Sequence, residues 1–272
     1  MTYHCEPEVK VIADSINPAG KRLTTLQMKY WRPLLAELNT HRVFSRNSRS
    51  SRANPVANVI TQVRNDPWGP KEFGINQAGM VALSAYTGPQ RDALIKVWTQ
   101  LADANSTAAN QLNSLNIHKQ VVNRLIEPFT YAMTVVTADD WDNFFKLRLA
   151  SDAQPEMQDL AKAMKVAMDS SEPEKLEWND WHLPYISKED KENHDIKTLV
   201  NASAARCARV SYKAFDGSSS IEKDVELAKK LISKGHLSPL EMPAKAVEHN
   251  YKSNFSNTWM QYRKFIENSI NL

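Results

Sequence analysis

Glycine is scarce in this chain, with seven in 272 residues. Loops that wrap a phosphate in bare backbone need clustered glycines. Neither G-x-G-x-x-G nor G-x-x-x-x-G-K occurs, so a Rossmann turn and a P-loop are both excluded. A nucleotide cofactor held by this chain is held without those loops. The stretch equipped for an anionic ligand is Thr40 to Arg52, with four arginines, four serines, Asn47 and His41. No acidic residue lies between Glu37 and Asp66, and every cation in that interval is arginine. A guanidinium grips phosphate or carboxylate as a planar fork, which an ammonium cannot do. The spacing 42, 46, 49, 52 also reads as a solvated helical stripe or a nucleic-acid patch.

Hydrophobic residues make up 42% of the chain, enough for a substantial core, and the net charge of +3 is mild. Two cysteines, Cys5 and Cys207, exclude a disulfide framework and a cysteine-based zinc cluster. The cysteine usage fits a reducing, cytoplasmic setting (a host's cytoplasm for a viral protein). No apolar run approaches a membrane span, and the first residues lack a signal-peptide pattern.

In chain order, Val9–Ser15 reads as a strand, Asn17–Gly20 as a turn and Arg22–Tyr30 as the returning strand. Pro33 opens a short helix that delivers the chain to Thr40. Val56–Val63 reads as a helix. Residues 65–89 hold seven of the twenty Gly and Pro residues and read as loop. Arg91–Ala104 reads as a helix with Leu94, Val97, Trp98 and Leu101 on its buried face. Ile117–Val136 reads as a longer apolar helix. Thr137–Asp140 reads as the N-terminus of the next helix, which runs to Arg148, with Asp139 and Asp140 complementing the dipole rather than acting as catalytic carboxylates. Pro155 starts an amphipathic helix with Met157, Leu160, Ala161, Met164 and Met168 inside. The polar segment 170–196 reads as a surface excursion able to serve as a lid. Ser203–Tyr212 reads as helix-to-turn. Ser219 and Glu222 form a capping box for a helix that Gly235 ends.

Four separated pieces resemble the flavin-dependent thymidylate synthases (the ThyX family). His41-Arg42, seven residues and then Ser50, with Asn47 and Arg52 in place, resembles that family's Arg-His-Arg-x7-Ser signature. Asn143-Phe144-Phe145-Lys146-Leu147-Arg148, followed by Ala153-Gln154-Pro155-Glu156, is similar to its Asn-Phe-x-x-Leu-Arg helix and the helix after it. Arg124, four residues before Pro128, is similar to its phosphate-contacting arginine. Gly235-His236-Leu237-Ser238-Pro239-Leu240-Glu241 resembles its Gly-His-x-Ser-Pro-x-Glu segment. That last segment precedes the arginine signature in typical members and here lies near the C-terminus. A circular permutation accounts for the order, with 197–265 resembling the family's N-terminal portion, and it predicts Gly235–Glu241 beside Thr40–Arg52 in space.

The resemblance implies an α+β fold in a single domain over 1–272, with a small antiparallel sheet, several helices and helix-rich insertions at 65–116 and 170–196. It implies a homotetramer, FAD and NADPH as cofactors, methylenetetrahydrofolate as co-substrate, and conversion of dUMP to dTMP. Ser50, Arg52, Arg124, Arg148 and Asn47 are then substrate-binding, and Arg148 is catalytic, donating to the pyrimidine edge. His41, Arg42, Asn143, His236 and Ser238 contact FAD. No metal and no membrane is implied, and nucleic acid is not the expected partner. Neither cysteine is expected to act as a nucleophile, and no Ser-His-Asp logic surrounds Ser50. Taken singly, His236 also reads as a structural turn residue and Arg148 as a helix C-terminal cation.

The chain departs from the pattern at Thr40, Ser48, Ala53 and Glu37, with Thr137 and Asp139 near the family's flavin-contacting Asn-x-Arg. These departures motivate an alternative within the superfamily, hydroxymethylation of dUMP or dCMP. A reading of another class, a nucleic-acid-binding module using the arginine stripe, predicts a colourless protein with salt-dependent binding.

Overall fold

The computed structural model describes residues 2–210, 220–249 and 254–270. Its first unit is a hairpin. Strands β1 (Glu8–Ile16) and β2 (Arg22–Trp31) pair antiparallel around the turn at Asn17–Gly20. Asn17 closes the turn by accepting from the backbone N–H groups of Ala19 and Lys21 at 3.1 and 3.0 Å, and Gly20 takes a φ of +73°. Such a left-handed position is cheap for glycine and costly for a Cβ-bearing residue.

After β2 come a 3₁₀ turn, helix α1 (Leu35–Leu38), strand β3 (Ser45–Ser48) and helix α2 (Val56–Asn65). Helix α3 (Gly88–Ser114) is longer than expected, and its buried face differs. Ala102, Ser106 and Ala109 are buried with Trp98 packed beside them, whereas Val97 and Leu101 are about half exposed, at 52% and 49%. The small residues allow close approach to α2, and bulk at 97 and 101 would have kept the helices apart.

The segment 117–136 is not one helix. It gives helix α4 (Lys119–Val122), two 3₁₀ turns and strand β4 (Tyr131–Ala138), which pairs antiparallel with both β2 and β3. Pro128 interrupts the run, and Thr134, Val135, Val136 and Thr137 favour a pleated strand. The run reads as continuously apolar because β4 is covered on both faces. Val136 enters the main core and Val135 a second cluster with Cys207, Val210 and Met242. Thr137 therefore ends a strand instead of capping a helix.

Helix α5 (Asp142–Arg148) starts two residues beyond Asp140, and α6 (Pro155–Asp169) buries the predicted stripe. Together they cover one face of the sheet ordered β3-β4-β2-β1-β5, where β5 (Glu174–Lys175) lies parallel to β1.

Residues 170–196 are not a lid. Leu176, Trp181, His182 and Leu183 are buried there, and β6 (Trp181–His182) pairs with β7 (Ala244–Ala246), which pairs with β8 (Trp259–Gln261). Around this second sheet lie α7 (Lys188–Asn193), α8 (Ile196–Arg209), α9 (Ile221–Ser233) and α10 (Tyr262–Glu267). Helix α8 is buried along nearly its whole length, which its alanines permit. Its Arg206 is only 5% exposed and is met by Asp190 at 2.6 Å and Asp224 at 2.8 Å. The expected capping residue Ser219 and the end of the Ser203–Tyr212 stretch lie outside the described residues, and α9 begins from Ser220. Among the described residues no helix is long and apolar enough to cross a membrane.

The two sheets meet through buried hydroxyls on one imidazole. His182 bonds Ser15 Oγ through Nδ1 at 2.9 Å and Thr25 Oγ1 through Nε2 at 2.8 Å, and Thr25 continues to Thr137 at 2.7 Å. Burial pushes the His182 pKa down to about 3. Its unfolded value is about 6.5, so below that pH the unfolded chain binds the extra proton and the native state does not. The stability from the neutral ring is complete above pH 6.5 and is lost as pH falls toward the folded value, at up to about 1.4 kcal/mol per unit. Urea unfolding from pH 7.5 downward should show this slope in the wild type and a flatter one in His182→Gln. Equal slopes in the two proteins would mean the ring does not carry the pH dependence.

Candidate active site

Residues 40–52 do not form a helix, so the arginine stripe is dismantled. Residues 39–44 are loop, 45–48 are β3, and 51–53 are a 3₁₀ turn. Arg46 turns inward: it donates to Asn39 Oδ1 at 2.7 Å and to the carbonyls of Asn39, His41 and Phe44 at 2.9, 3.0 and 2.9 Å. It is the brace of the loop that carries His41 and Arg42. His41 is buried against Phe44 and edge-on to Phe144, while Arg42 is exposed.

Arg148, at the end of α5, reaches this loop. Its Nε donates to His41 Nε2 at 2.9 Å, Nη1 to the Glu37 carboxylate, and Nη2 to Thr40 Oγ1 at 3.3 Å. The bond from Arg148 leaves His41 Nε2 as an acceptor, which is the neutral ring. Burial first, then the guanidiniums of Arg148 and Arg46, hold the His41 pKa below its usual value. Two of the four departures from the family pattern, Glu37 and Thr40, are thus partners of Arg148. A third, Ser48, bonds Thr134 Oγ1 at 2.9 Å.

Asn143 lies five residues before Arg148 on α5 and is exposed. His236 and Ser238 are exposed as well. Gly235 (φ +69°) and His236 close α9 through backbone bonds to Ile232 and Leu231, which fixes where the His236 side chain starts. The turn that follows, Ser238–Glu241, docks on β3: Gln261 Nε2 donates both to Ser45 Oγ at 2.7 Å and to the Glu241 carbonyl at 3.0 Å. The sequence segments 235–241 and 40–52 are therefore neighbours.

The phosphate-type residues form a second group. Ser50 caps the 3₁₀ turn by accepting from the Arg52 N–H at 3.3 Å, and both residues are exposed. Asn123 Nδ2 donates to the Ser51 and Asn54 carbonyls at 2.8 and 3.1 Å, which seats the Arg124 segment against this turn. Arg124 itself is spent on Glu127, at 2.9 and 3.0 Å. Asn47 Nδ2 donates to the Cys207 carbonyl at 3.0 Å, so at least that N–H ties β3 to α8. Glu156, from the Ala-Gln-x-Glu piece, is 4% exposed and accepts from the Lys71 N–H at 2.7 Å. Burial raises the pKa of both Cys207 and Cys5, which keeps the thiols protonated as expected.

Asp139 accepts from the Ser256 N–H at 2.7 Å and Asp140 from the Asp142 N–H at 3.2 Å, which agrees with structural over catalytic carboxylates. Arg32 and Asn123 escaped the sequence reading, and Arg49 entered it only as one position of the arginine stripe. No spacing joins the three, since they meet only in the folded chain. Among the described residues no group of three His, Cys, Asp or Glu is placed to hold a metal.

A family model described as thymidylate synthase complementing protein (Thy1) matches residues 23–174. The chain belongs to this family. The Thy1 match spans the arginine signature, Arg124, α5 and all of α6, and stops short of 235–241. No curated protein matches the sequence. Among solved structures, a UMP/dUMP methylase, PolB, from Streptomyces cacaoi bound with 5-Br UMP aligns at 15% identity with a TM-score of 0.50, covering 61% of this chain and 90% of that one. The same enzyme with 5-Br dUMP aligns at 13% identity and TM-score 0.50, covering 61% and 91%. The likeness shows a shared fold. A flavin-dependent thymidylate synthase ThyX from Helicobacter pylori complexed with FAD and dUMP aligns at 21% identity and TM-score 0.38, covering 54% and 67%.

Replacing Arg148 with Met removes one of the two guanidinium influences on His41 and leaves burial and Arg46 in place. The His41 pKa should therefore rise in Arg148→Met yet stay below about 6.5, read from an NMR titration of the ring carbons. An unchanged value would show that Arg148 does not act on this imidazole.

Proposed function

We propose that this Thy1-family chain transfers a one-carbon unit from methylenetetrahydrofolate to C5 of a pyrimidine deoxynucleotide, converting dUMP to dTMP. The observation that carries the proposal is the Arg148 cluster: a guanidinium held at three points, at the end of the helix that also bears Asn143. The balanced reaction consumes dUMP, methylenetetrahydrofolate, NADPH and a proton, and yields dTMP, tetrahydrofolate and NADP⁺. When bound, FAD supplies the two-electron chemistry that links NADPH to the nucleotide. The residues present fit that group. Arg42, Asn143, His236 and Ser238 are exposed polar side chains, and their elements meet at the loop before β3.

In this reading Arg148 donates to the pyrimidine carbonyl edge and balances negative charge as C5 becomes nucleophilic. Its weakest tether, Thr40 at 3.3 Å, is the one released. His41, neutral and pinned, keeps the guanidinium in plane. Ser50, Arg52 and Arg124 take the 5′-phosphate, with Arg124 exchanging Glu127 for it, and Asn47 positions β3 beneath. The 197–265 portion supplies the part that typical members carry before the arginine signature, as a permuted continuation of one domain. The active assembly is a cytoplasmic homotetramer.

A second reading is favoured by Glu37. Its carboxylate sits at Arg148, and a carboxylate accepts from the exocyclic amine of cytosine, whereas uracil offers a carbonyl there. dCMP is then the substrate, and water in place of reductant gives a hydroxymethyl product. Anaerobic incubation with FAD, NADPH, methylenetetrahydrofolate and either dUMP or dCMP, with mass readout, separates the readings. A gain of CH2 on dUMP is expected, and Arg148→Lys should cut the rate by about 10²-fold or more. A gain of CH2O points to hydroxymethylation. Unaltered nucleotides together with a flavin-free protein would overturn both.

A further inference from the structure

A polar cavity of about 180 Å³ lies on the inner side of the 51–54 turn, against α2 and the start of β4. Arg32, Arg49, Asn54, Asn123, Glu127 and Tyr131 face it. Arg49 donates through Nη1 to the Tyr131 hydroxyl at 3.3 Å and through Nη2 to Asn54 Oδ1, but its buried Nε has no partner. Arg32 donates to the Arg49 carbonyl at 3.0 Å, and burial lowers its pKa from the usual guanidinium value. Among the described residues neither arginine has a carboxylate within ion-pair distance; Glu127, the carboxylate at the cavity, is bridged by Arg124 and acts on Arg32 only at longer range. Asn123 is 1% exposed, and its Nδ2 is committed to two carbonyls. That fixes the amide orientation and leaves Oδ1 a buried acceptor with no donor.

Two guanidiniums without a direct counter-ion, an orphan N–H and an orphan C=O thus line one cavity, with one carboxylate, Glu127, at its wall. Buried polar atoms are nearly always satisfied, and those that are not mark a missing partner. The charge calls for an anion. The Asn123 oxygen calls for an anion with a proton of its own to donate. Sulfate has none, whereas phosphate near neutral pH keeps at least one O–H, and a phosphomonoester keeps one below its second pKa of about 6. A water molecule could satisfy the two orphan atoms and would leave neither guanidinium with a direct counter-ion.

We propose that this cavity is an oxyanion site selective for a protonated phosphate group, distinct in residues from the Ser50, Arg52 and Arg124 grip on the outer side of the same turn. The occupant is free hydrogen phosphate or the phosphate of a phosphomonoester. The site does not depend on the one-carbon chemistry proposed above, and its test needs no flavin or folate. Because Asn123 holds the Ser51 and Asn54 carbonyls, filling the cavity braces the turn that presents Ser50 and Arg52.

Calorimetric titration of the full chain with inorganic phosphate, with sulfate at matched ionic strength and with dUMP tests this. Phosphate should bind saturably, and sulfate about ten-fold more weakly or worse, the cost of leaving one buried acceptor unpaired. Arg32→Met and Arg49→Met should lose phosphate binding, while Arg52→Met keeps it. Arg49→Lys, which retains the charge without the Nε donor, and Tyr131→Phe guard against misfolding and should weaken binding with an unchanged circular dichroism spectrum. Competition between dUMP and phosphate identifies the phosphomonoester as occupant, and independent binding identifies free phosphate. Equal affinity for sulfate, or phosphate binding lost in Arg52→Met and kept in Arg32→Met, would overturn the proposal.

Discussion

Strand β3 is four residues long, and both halves of the protein are fastened to it. Its backbone pairs with β4 from Ser45 to Ser48. Its side chains alternate, as a strand requires. Ser45 and Asn47 point to the C-terminal half, where Ser45 Oγ, wholly buried, accepts from Gln261 at 2.7 Å and from Asn254 at 3.4 Å, and Asn47 reaches the end of α8. Arg46 and Ser48 point the other way, to the loop carrying His41 and to Thr134. An edge strand this short has little ladder energy of its own. What fixes it is that each of its polar side chains is spoken for, and freeing any buried one leaves a partner unsatisfied at about 1–3 kcal/mol. The positions of Arg42 upstream and Ser50 downstream are set by that constraint.

The same logic governs Arg148. A guanidinium on an exposed helix end would sample many rotamers. Here three donors are engaged by three residues of one short segment, 37–41, so the fork is oriented before any ligand arrives. Preorganisation of this kind is where electrostatic catalysis gains most, because nothing need be rearranged as charge develops. It also constrains chemistry. A carboxylate at Glu37 partly neutralises this cation, which an uncharged residue would not do. Glu37, Thr40 and Arg148 are therefore joined in one cluster.

Much of this was legible in the chain. The hairpin, α2, α5, α6 and α9 follow local rules: a turn with Asn and Gly, prolines at helix starts, a stripe of methionines, a glycine stop. The misreadings share one cause, which is burial supplied by distant segments. β4 read as helix because its run is apolar on both sides, and the second side comes from α8 and Met242, which follow it by more than 60 positions in the sequence. The arginine spacing read as helical although β3 pairs with a strand nearly ninety residues later. Segment 170–196 read as surface because its charged flanks outweigh Trp181 and His182, which sit at the junction of the sheets. For the candidate site, the structure joins two of the quoted pieces through Arg148 and His41, while Arg32 and Asn123 have surroundings defined only by what folds against them.

The four arginines of residues 40–52 end up in three physical situations, and this bears on why all four are arginine. Arg46 spends its fork on backbone carbonyls at several angles, a task for a planar multi-donor group and not for an ammonium. Arg49 runs beneath the 51–54 turn, where its stem and Nε are buried and two terminal nitrogens still find acceptors. Of the four, only Arg42 and Arg52 stay exposed, one before β3 in the chain and one after it. Two inward arginines shape a loop and a turn, and each of these presents one outward arginine. The net charge stays small because the basic stretch is partly consumed by the fold that positions it.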